Sequence, residues 1–179
     1  MRVYMMVAAV LIAGLEFPTT GQPMSSPVQE ECDIPPGHAI IAGFGVPGRA
    51  VADLLAERDV PFCVIELNTK TVERCSHSGV RIIEGDVVDE SVLRSAGVEK
   101  STLLVLAVPS DVAVLEAIRV ARRLNPTIRI IARCRFVSAG MRAHQLGANE
   151  VIIEEHVVAS EMKRLLEAET DGVTPAKKT

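Results

Sequence analysis

The chain has 179 residues and a net charge of −4, which fits one globular domain of ordinary size. Hydrophobic residues make up 48% of it, charged residues 23% and aromatic residues 3%, which excludes a disordered, collagen-like or disulfide-built protein. Its 19 basic residues are outnumbered by 23 acidic ones and form no run longer than two, so no nucleic-acid partner is expected.

The chain begins with an apolar leader, residues 1–15, in which positions 3–13 are uninterruptedly apolar. This run is shorter than the roughly 20 residues that a membrane-spanning helix needs. Three interpretations stay open: a shallow membrane contact or remnant of a membrane helix, a disordered start, and an export signal. Residues 16–37 are rich in proline, serine and threonine and are predicted to be a linker, and residues 169–179 are a polar tail.

From position 38 onward, short apolar runs alternate with amphipathic segments. The runs predict buried strands at residues 38–42, 61–66, 80–84, 102–108, 128–132 and 150–153. Helices are predicted from about Gly48, at 70–76, from Asp111 as the cap to Leu124, at 137–146 and at about 157–168. This alternation predicts a single α/β domain, residues 38–168, with a Rossmann-like, doubly wound parallel sheet.

The motif Gly43-Phe44-Gly45-Val46-Pro47-Gly48 lies between the first predicted strand and the first predicted helix. Its glycines have the G-x-G-x-x-G spacing of a dinucleotide-binding turn. Gly43 allows the tight turn, Gly45 lets the backbone approach a pyrophosphate, and Gly48 lets the helix pack close to the strand. Phosphates would meet free N–H groups and the positive end of the helix dipole. On the same helix, Arg49 falls on the polar face.

An acidic residue, Glu66, ends the second predicted strand eighteen residues after Gly48. Its carboxylate is placed to accept hydrogen bonds from ribose hydroxyls, and its charge disfavours the 2′-phosphate of NADP. The alternative is that the glycines only make a tight turn in a domain that has lost its ligand.

Three further sequence segments follow along the chain in this order: IIEGDVVDESVLRSAGVEKSTLLVLAV, LNPTIRIIARCR and LGANEVI. With the glycine-rich turn they resemble the RCK or TrkA-N (KTN) family, the cytosolic regulators of potassium channels and transporters, over residues 38–153. The stretch LGANEVIIEEHVVASEM is most similar to the C-terminal nucleotide-binding domain of Kef-type potassium/proton antiporters.

The resemblance implies a cleft that takes NAD(H) or an adenine nucleotide (AMP, ADP or ATP). It places Asp86 beside the adenosine and lets Arg133 reach phosphate. The residues assigned to the site are Gly43, Phe44, Gly45, Val46, Pro47, Gly48, Glu66, Leu67, Asp86, Val87 and Arg133. For Asp86 the alternative is a turn residue that hydrogen-bonds its own backbone, and for Arg133 it is a solvated or subunit-facing side chain.

The function implied by the resemblance is regulation: nucleotide occupancy would control a potassium channel or a cation/proton antiporter. The expected partners are a membrane subunit of that kind and further copies of the chain, in a homodimer or higher oligomer. The expected location is cytoplasmic, peripheral to or anchored at the inner face of the cell membrane. One alternative is a small NAD-dependent oxidoreductase, although the Rossmann unit leaves no room for a substrate domain. Another is a degenerate scaffold that binds nothing.

Neither a catalytic residue nor a metal site is predicted. The four histidines fall in different elements without metal-ligand spacing, and the four cysteines form no C-x-x-C pair, which favours reduced, packed thiols. An apolar helix face near Val157, Val158, Met162 and Leu165 is predicted to contact another subunit.

Overall fold

The computed structural model describes residues 35–75 and 79–170. Strands and helices alternate along this part of the chain. The strands are β1 (Ala39–Ala42), β2 (Phe62–Glu66), β3 (Ile82–Glu84), β4 (Leu103–Leu106), β5 (Arg129–Cys134) and β6 (Glu150–Ile153). The helices are α1 (Val46–Glu57), α2 (Thr69–Cys75), α3 (Glu90–Ser95), α4 (Asp111–Leu124), α5 (Val137–Gln145) and α6 (Glu154–Thr170).

The strands form one parallel sheet in the order β3-β2-β1-β4-β5-β6. Strand β1 lies at its centre, where Ile41 is in register with Val64 of β2 and Val105 of β4. This order confirms the predicted Rossmann-like, doubly wound fold. Because the chain runs outward from β1 to β3 and then returns to the other side of β1, a crevice opens at the carboxyl ends of β1 and β4.

Helices cover both faces of the sheet, so its central strands are buried on both sides. On one face, Ile40, Leu104 and Ile130 belong to the larger core beneath α3, α4 and α5. On the other face, Ile41 and Val64 pack with Ala52 of α1. Double burial explains why these strands have continuous apolar runs instead of alternating apolar and polar residues.

The helix starts differ from the prediction at two places that border the crevice. Helix α1 begins at Val46 instead of about Gly48, because Pro47 fits the first helical turn. The N-cap of α4 is Ser110, whose hydroxyl accepts the N–H of Ala113 at 3.3 Å, so the prediction of Asp111 as the cap was wrong. Asp111 instead accepts the N–H of Arg135 at 2.8 Å, which links the start of α4 to the end of β5.

Other boundaries shift by a few residues. Strand β5 extends to Cys134, and α6 begins at Glu154, directly after β6. Helix α3 is absent from the sequence-based prediction because it has only six residues. Its N-cap Asp89 accepts the N–H of Ser91 at 2.8 Å, a local signal that could have identified it.

His38 has a packing role at the start of β1, where it is 1% exposed. One ring nitrogen lies 3.0 Å from the carbonyl oxygen of Pro35 and the other lies 2.8 Å from that of Ala96. The side chain therefore joins the entry to the sheet with the end of α3.

The predicted leader, most of the predicted linker and most of the polar tail lie outside the described residues. Within the described ranges, no helix has the length and apolar character needed to cross a membrane. Helix α6 has exposed side chains throughout residues 155–169.

Candidate functional site

A cleft of about 1040 Å³ lies at the carboxyl ends of the central strands, in the crevice that the strand order creates. Ten of the eleven predicted site residues line it, contributed by the ends of β2 and β5, by the loops after β1, β2 and β3 and by the start of α1. They are Gly43, Phe44, Gly45, Val46, Pro47, Glu66, Leu67, Asp86, Val87 and Arg133. Gly48, the remaining one, lies behind the loop and is buried.

Two glycines of the loop are required by the fold itself. Gly43 has a φ of +91°, and a Cβ atom there would lie 3.1 Å from the backbone and side chain of Val108. A Cβ on Gly48 would lie 1.9 Å from the carbonyl oxygen of Gly43, so only glycine allows α1 to approach β1 this closely. The tight turn and close helix packing predicted from the sequence are both present.

Gly45 differs because nothing in the described protein requires a glycine there. Its φ of −73° suits any residue. A Cβ atom would meet only Pro47 Cδ, at 4.0 Å. Gly45 caps α1, and no group among the described residues accepts the N–H of Gly45 or Val46. Gly45 and Val46 both line the cleft, so a negatively charged group bound beside them would meet open space and N–H groups without an acceptor.

The Glu66 carboxylate is held at the end of β2 by two backbone groups. One oxygen accepts the N–H of Phe44 at 2.7 Å, and the other accepts the N–H of Asn68 at 2.8 Å. Each carboxylate oxygen can accept a second hydrogen bond, so both can still accept ribose hydroxyls. The bond to Phe44 also fixes the glycine-rich loop, a role that sequence reasoning did not foresee.

Asp86 follows β3 and forms the turn that was the alternative to a ligand contact. Its Oδ1 accepts the N–H of Val88 at 3.1 Å. The residue also lines the cleft, on the same side as Glu66. The turn therefore orients a carboxylate that borders the cleft on the same side as Glu66.

Arg133 lies at the opposite side of the cleft, near the end of β5. Its Nε donates to the Glu154 carboxylate, and one terminal nitrogen donates to the carbonyl oxygen of Ala107 at 3.2 Å. The guanidinium is thus oriented by protein groups at the place where it borders the cleft.

The cleft is also lined by two arginines that the sequence analysis did not assign to the site. Arg49, expected only on the polar face of α1, turns back so that Nε donates to the carbonyl oxygen of Phe44 at 3.1 Å. Its guanidinium lies 5.5 Å from the centre of the Phe44 ring. Arg74 of α2 donates to Thr71 Oγ1 at 3.2 Å. Both residues lie within one or two helical turns of the loops after β1 and β2, and this closeness in the sequence could have identified them as cleft residues.

The charged lining suits an anionic ligand that also carries hydroxyl groups. Three arginines, Arg49, Arg74 and Arg133, face a cleft whose acidic members are Glu66 and Asp86. Guanidinium groups bind phosphate well, and paired acceptors bind ribose hydroxyls. No cluster of three metal-ligating side chains occurs among the described residues.

Cys134 ends β5 close to this region and is fully buried. Burial, assisted by the nearby Asp111 carboxylate, raises the pKa of its thiol to about 11. The thiol is therefore neutral at physiological pH and packs in the core. Cys63 is buried in the same core, and Cys75 is half-buried.

Several known proteins are similar to this chain over its Rossmann domain. YbaL of Escherichia coli is 31% identical over 154 residues, covering 84% of this chain and 28% of YbaL. The glutathione-regulated potassium-efflux system protein KefC of Cronobacter sakazakii is 32% identical over 118 residues, covering 66% of this chain and 19% of KefC. Potassium channel protein 1 of Methanocaldococcus jannaschii is 28% identical over 130 residues, covering 72% and 39%. The chain thus spans less than half the length of each of these relatives.

Solved structures have the same fold. The crystal structure of the TrkA-N domain of inner membrane protein YbaL from E. coli has a TM-score of 0.70 at 32% identity, covering 74% of this chain and 98% of that domain. The Shewanella denitrificans Kef C-terminal domain in its AMP-bound form has a TM-score of 0.62 at 23% identity, covering 74% and 81%. The pattern of the TrkA-N domain matches residues 39–154, from β1 to the first residue of α6. The chain belongs to the TrkA-N domain family.

Proposed function

We propose that this chain is a nucleotide-sensing regulatory domain in potassium transport. In this role, NAD(H) or an adenine nucleotide in the cleft controls a potassium channel or a cation/proton antiporter. A role in transport is supported by two similar proteins, which are named a potassium-efflux system protein and a potassium channel protein. The ligand class is supported by structures of the same fold described as bound to AMP and to NAD.

Within this chain, the environment of Gly45 is the main support for the proposal. Packing and backbone conformation explain Gly43 and Gly48, whereas at Gly45 they leave only the modest preference for glycine over alanine at a helix N-cap. A glycine at a helix start, with open space above it and unpartnered N–H groups beside it, is what close approach of a phosphate needs. A degenerate scaffold could keep this arrangement from an ancestor that bound a ligand, so a binding measurement is what separates the two.

Different residues around the glycine-rich loop would contact the two halves of a nucleotide. Glu66 and Asp86 would hold the ribose and border the adenine, between Leu67 and Val87. The N–H groups of Gly45 and Val46 would hold the phosphates at the start of α1. The Glu66 carboxylate would repel a 2′-phosphate, so NAD is preferred over NADP.

The proposed role is binding and not catalysis. The described residues form the Rossmann sheet and its covering helices, and they contain no second lobe to hold a substrate against a nicotinamide. Ligand binding changes the function of a regulatory domain when it stabilises one arrangement over another. An oxidoreductase on this fold would need a proton-transfer group in the far half of the cleft, where Arg133 lies.

The proposed partners are a second copy of this chain and a membrane subunit. The apolar side chains of α6 are 52% to 67% exposed, which is a large area for a monomer surface. They are Val157, Val158, Met162, Leu165 and Leu166. An apolar groove lies on the same side of the sheet, between α1 and α6, so two copies can exchange equivalent contacts. The proposed location is the cytoplasmic face of the membrane that holds the transport subunit.

A binding panel on the full chain tests the proposal. Isothermal titration calorimetry and thermal unfolding would be measured with NAD, NADH, NADP, AMP, ADP and ATP. A ligand at one hundred times its Kd should stabilise the folded state by about 2.7 kcal/mol. We expect at least one adenine nucleotide to bind, with NAD preferred over NADP.

Two aspartate variants separate the site from a general effect of charge. Gly45→Asp places bulk and negative charge where phosphate would lie and should abolish binding. Ala56→Asp adds the same charge to an exposed position at the other end of α1 and should bind as the wild type does. If the wild type binds no ligand of the panel, the result would contradict the sensor role and support the scaffold.

A further inference from the structure

Arg133 stands on the boundary between two cavities. Its side chain lines the cleft of about 1040 Å³ and also the apolar groove of about 620 Å³ between α1 and α6. Pro47 and Ala107 are likewise shared by both cavities. At Arg133, a single side chain therefore separates the candidate nucleotide site from the groove beside the first turn of α6.

The partner of Arg133 belongs to α6. Nε of Arg133 donates to the carboxylate of Glu154, the first residue of that helix. The two side chains are only 26% and 34% exposed, so solvent screens this pair less than it screens exposed pairs such as Glu90–Arg94 or Glu161–Arg164. The first turn of α6 is thereby attached to the wall of the cleft.

The strand order places Arg133 beyond the phosphate loop when viewed from Glu66. Glu66 ends β2, the loop follows β1, and Arg133 lies near the end of β5, two strands to the other side of β1. Three strand spacings separate β2 from β5, a distance of about 14 Å. A nucleotide with its ribose on Glu66 and its first phosphate at Gly45 extends its distal phosphate towards Arg133.

We propose that the distal phosphate of the ligand and the Glu154 carboxylate compete for the Arg133 guanidinium. Occupancy of the cleft then weakens the attachment of the first turn of α6. This inference rests on the proposed function and adds how the site communicates with α6. By reciprocity, anything that holds Glu154 on Arg133 lowers the affinity for the nucleotide by the same factor.

Calorimetry on the full chain tests the competition with ADP, which has a distal phosphate, and with adenosine, which has no phosphate. Glu154→Gln removes the competitor and should raise the ADP affinity about two- to fivefold while leaving the adenosine affinity unchanged. Glu161→Gln is the matched control, because Glu161 pairs with Arg164 on the exposed part of the same helix. It should bind both ligands as the wild type does.

A double variant separates competition from a general effect of charge. Arg133→Gln should weaken ADP binding about tenfold, since it removes a charged donor to phosphate. If Glu154 acts through Arg133, Glu154→Gln should add no gain in the Arg133→Gln background. An equal gain in both backgrounds would overturn the proposal, because it would show only that removing negative charge favours an anion.

Hydrogen exchange at the backbone of residues 154–158 gives an independent readout at α6. ADP should accelerate exchange there in the wild type, and Glu154→Gln should show fast exchange before ADP is added. ADP binding without a change in exchange and without a gain from Glu154→Gln would overturn the coupling alone. Failure of the wild type to bind either ligand would overturn the coupling, and failure to bind any nucleotide of the binding panel would overturn the sensor role as well.

Discussion

Two alanine substitutions in the glycine-rich loop should separate the residue that holds the fold from the residue that admits the ligand. In Gly48→Ala the new Cβ would lie 1.9 Å from the Gly43 carbonyl oxygen, and Cβ atoms essentially never come within 3.0 Å of such an atom. The backbone of β1 or α1 has to move by roughly 1 Å, at a cost of about 2–3 kcal/mol in unfolding free energy. At this chain length the loss corresponds to a Tm lower by about 5–10 °C.

Gly45→Ala should leave the fold intact. The φ of −73° suits alanine, and the new Cβ meets only Pro47 Cδ at 4.0 Å. Alanine is a poorer N-cap than glycine by about 0.5–1 kcal/mol, but it reduces the entropy of the unfolded chain by about 0.4–1 kcal/mol, so the two effects nearly cancel. The methyl group enters the space in which we propose that phosphate binds, and the ADP affinity should fall at least about tenfold.

Thermal unfolding followed by circular dichroism and calorimetric titration with ADP measure the two effects on the same samples. The expected pattern is a low Tm for Gly48→Ala and a wild-type Tm with weak ADP binding for Gly45→Ala. The reasoning is refuted if both variants are destabilised equally, or if Gly45→Ala binds ADP as tightly as the wild type does.

Three further outcomes follow from individual side chains. Glu66→Ala should weaken NAD binding and raise the NADP affinity relative to NAD, and an unchanged ratio in calorimetry would contradict the ribose role. Folding raises the pKa of Cys134, so the unfolded state releases this proton first and stability should fall as the pH rises from about 9 to about 11. Urea unfolding at the two pH values should show a smaller fall for Cys134→Ala, and an equal fall would contradict the burial argument. Arg122 donates to three backbone carbonyl groups and to Asn149, so Arg122→Ala should cost about 2–3 kcal/mol in thermal unfolding. Arg119→Ala, which breaks only an exposed ion pair, should cost at most about 1 kcal/mol, and similar losses for both would contradict the assignment.

Local signals predicted the sheet and the position of the glycine-rich loop. Strands β1 and β4, around Ile41 and Val105, are continuous apolar runs because both of their faces are buried, and such runs are visible in the sequence. Glycine spacing located the loop, since the close approach of Gly48 to Gly43 depends on residues only five positions apart. These features could be predicted because the physical constraint and the residues that satisfy it lie close together in the chain.

Features that depend on side-chain direction or on distant contacts could not be predicted in the same way. Helical periodicity places Arg49 on the exposed face, but it does not show that the side chain turns back onto Phe44. The pairing of Arg133 with Glu154 depends on the register between β5 and β6, which brings together residues 21 positions apart. Ser110 competes with its neighbour Asp111 as a cap, and the contact of Asp111 with Arg135 settles which of them caps the helix.

A residue-by-residue map of nucleotide contacts on the full chain tests the central claim most directly. In ¹⁵N-resolved NMR spectra, addition of ADP should shift the backbone amides of Gly45 and Val46 most strongly, because their N–H groups would gain a phosphate acceptor. Smaller shifts should follow at Asn68 and Val88, whose N–H groups donate to Glu66 and Asp86. Unchanged amides at Gly45 and Val46, or shifts confined to the groove between α1 and α6, would contradict the account.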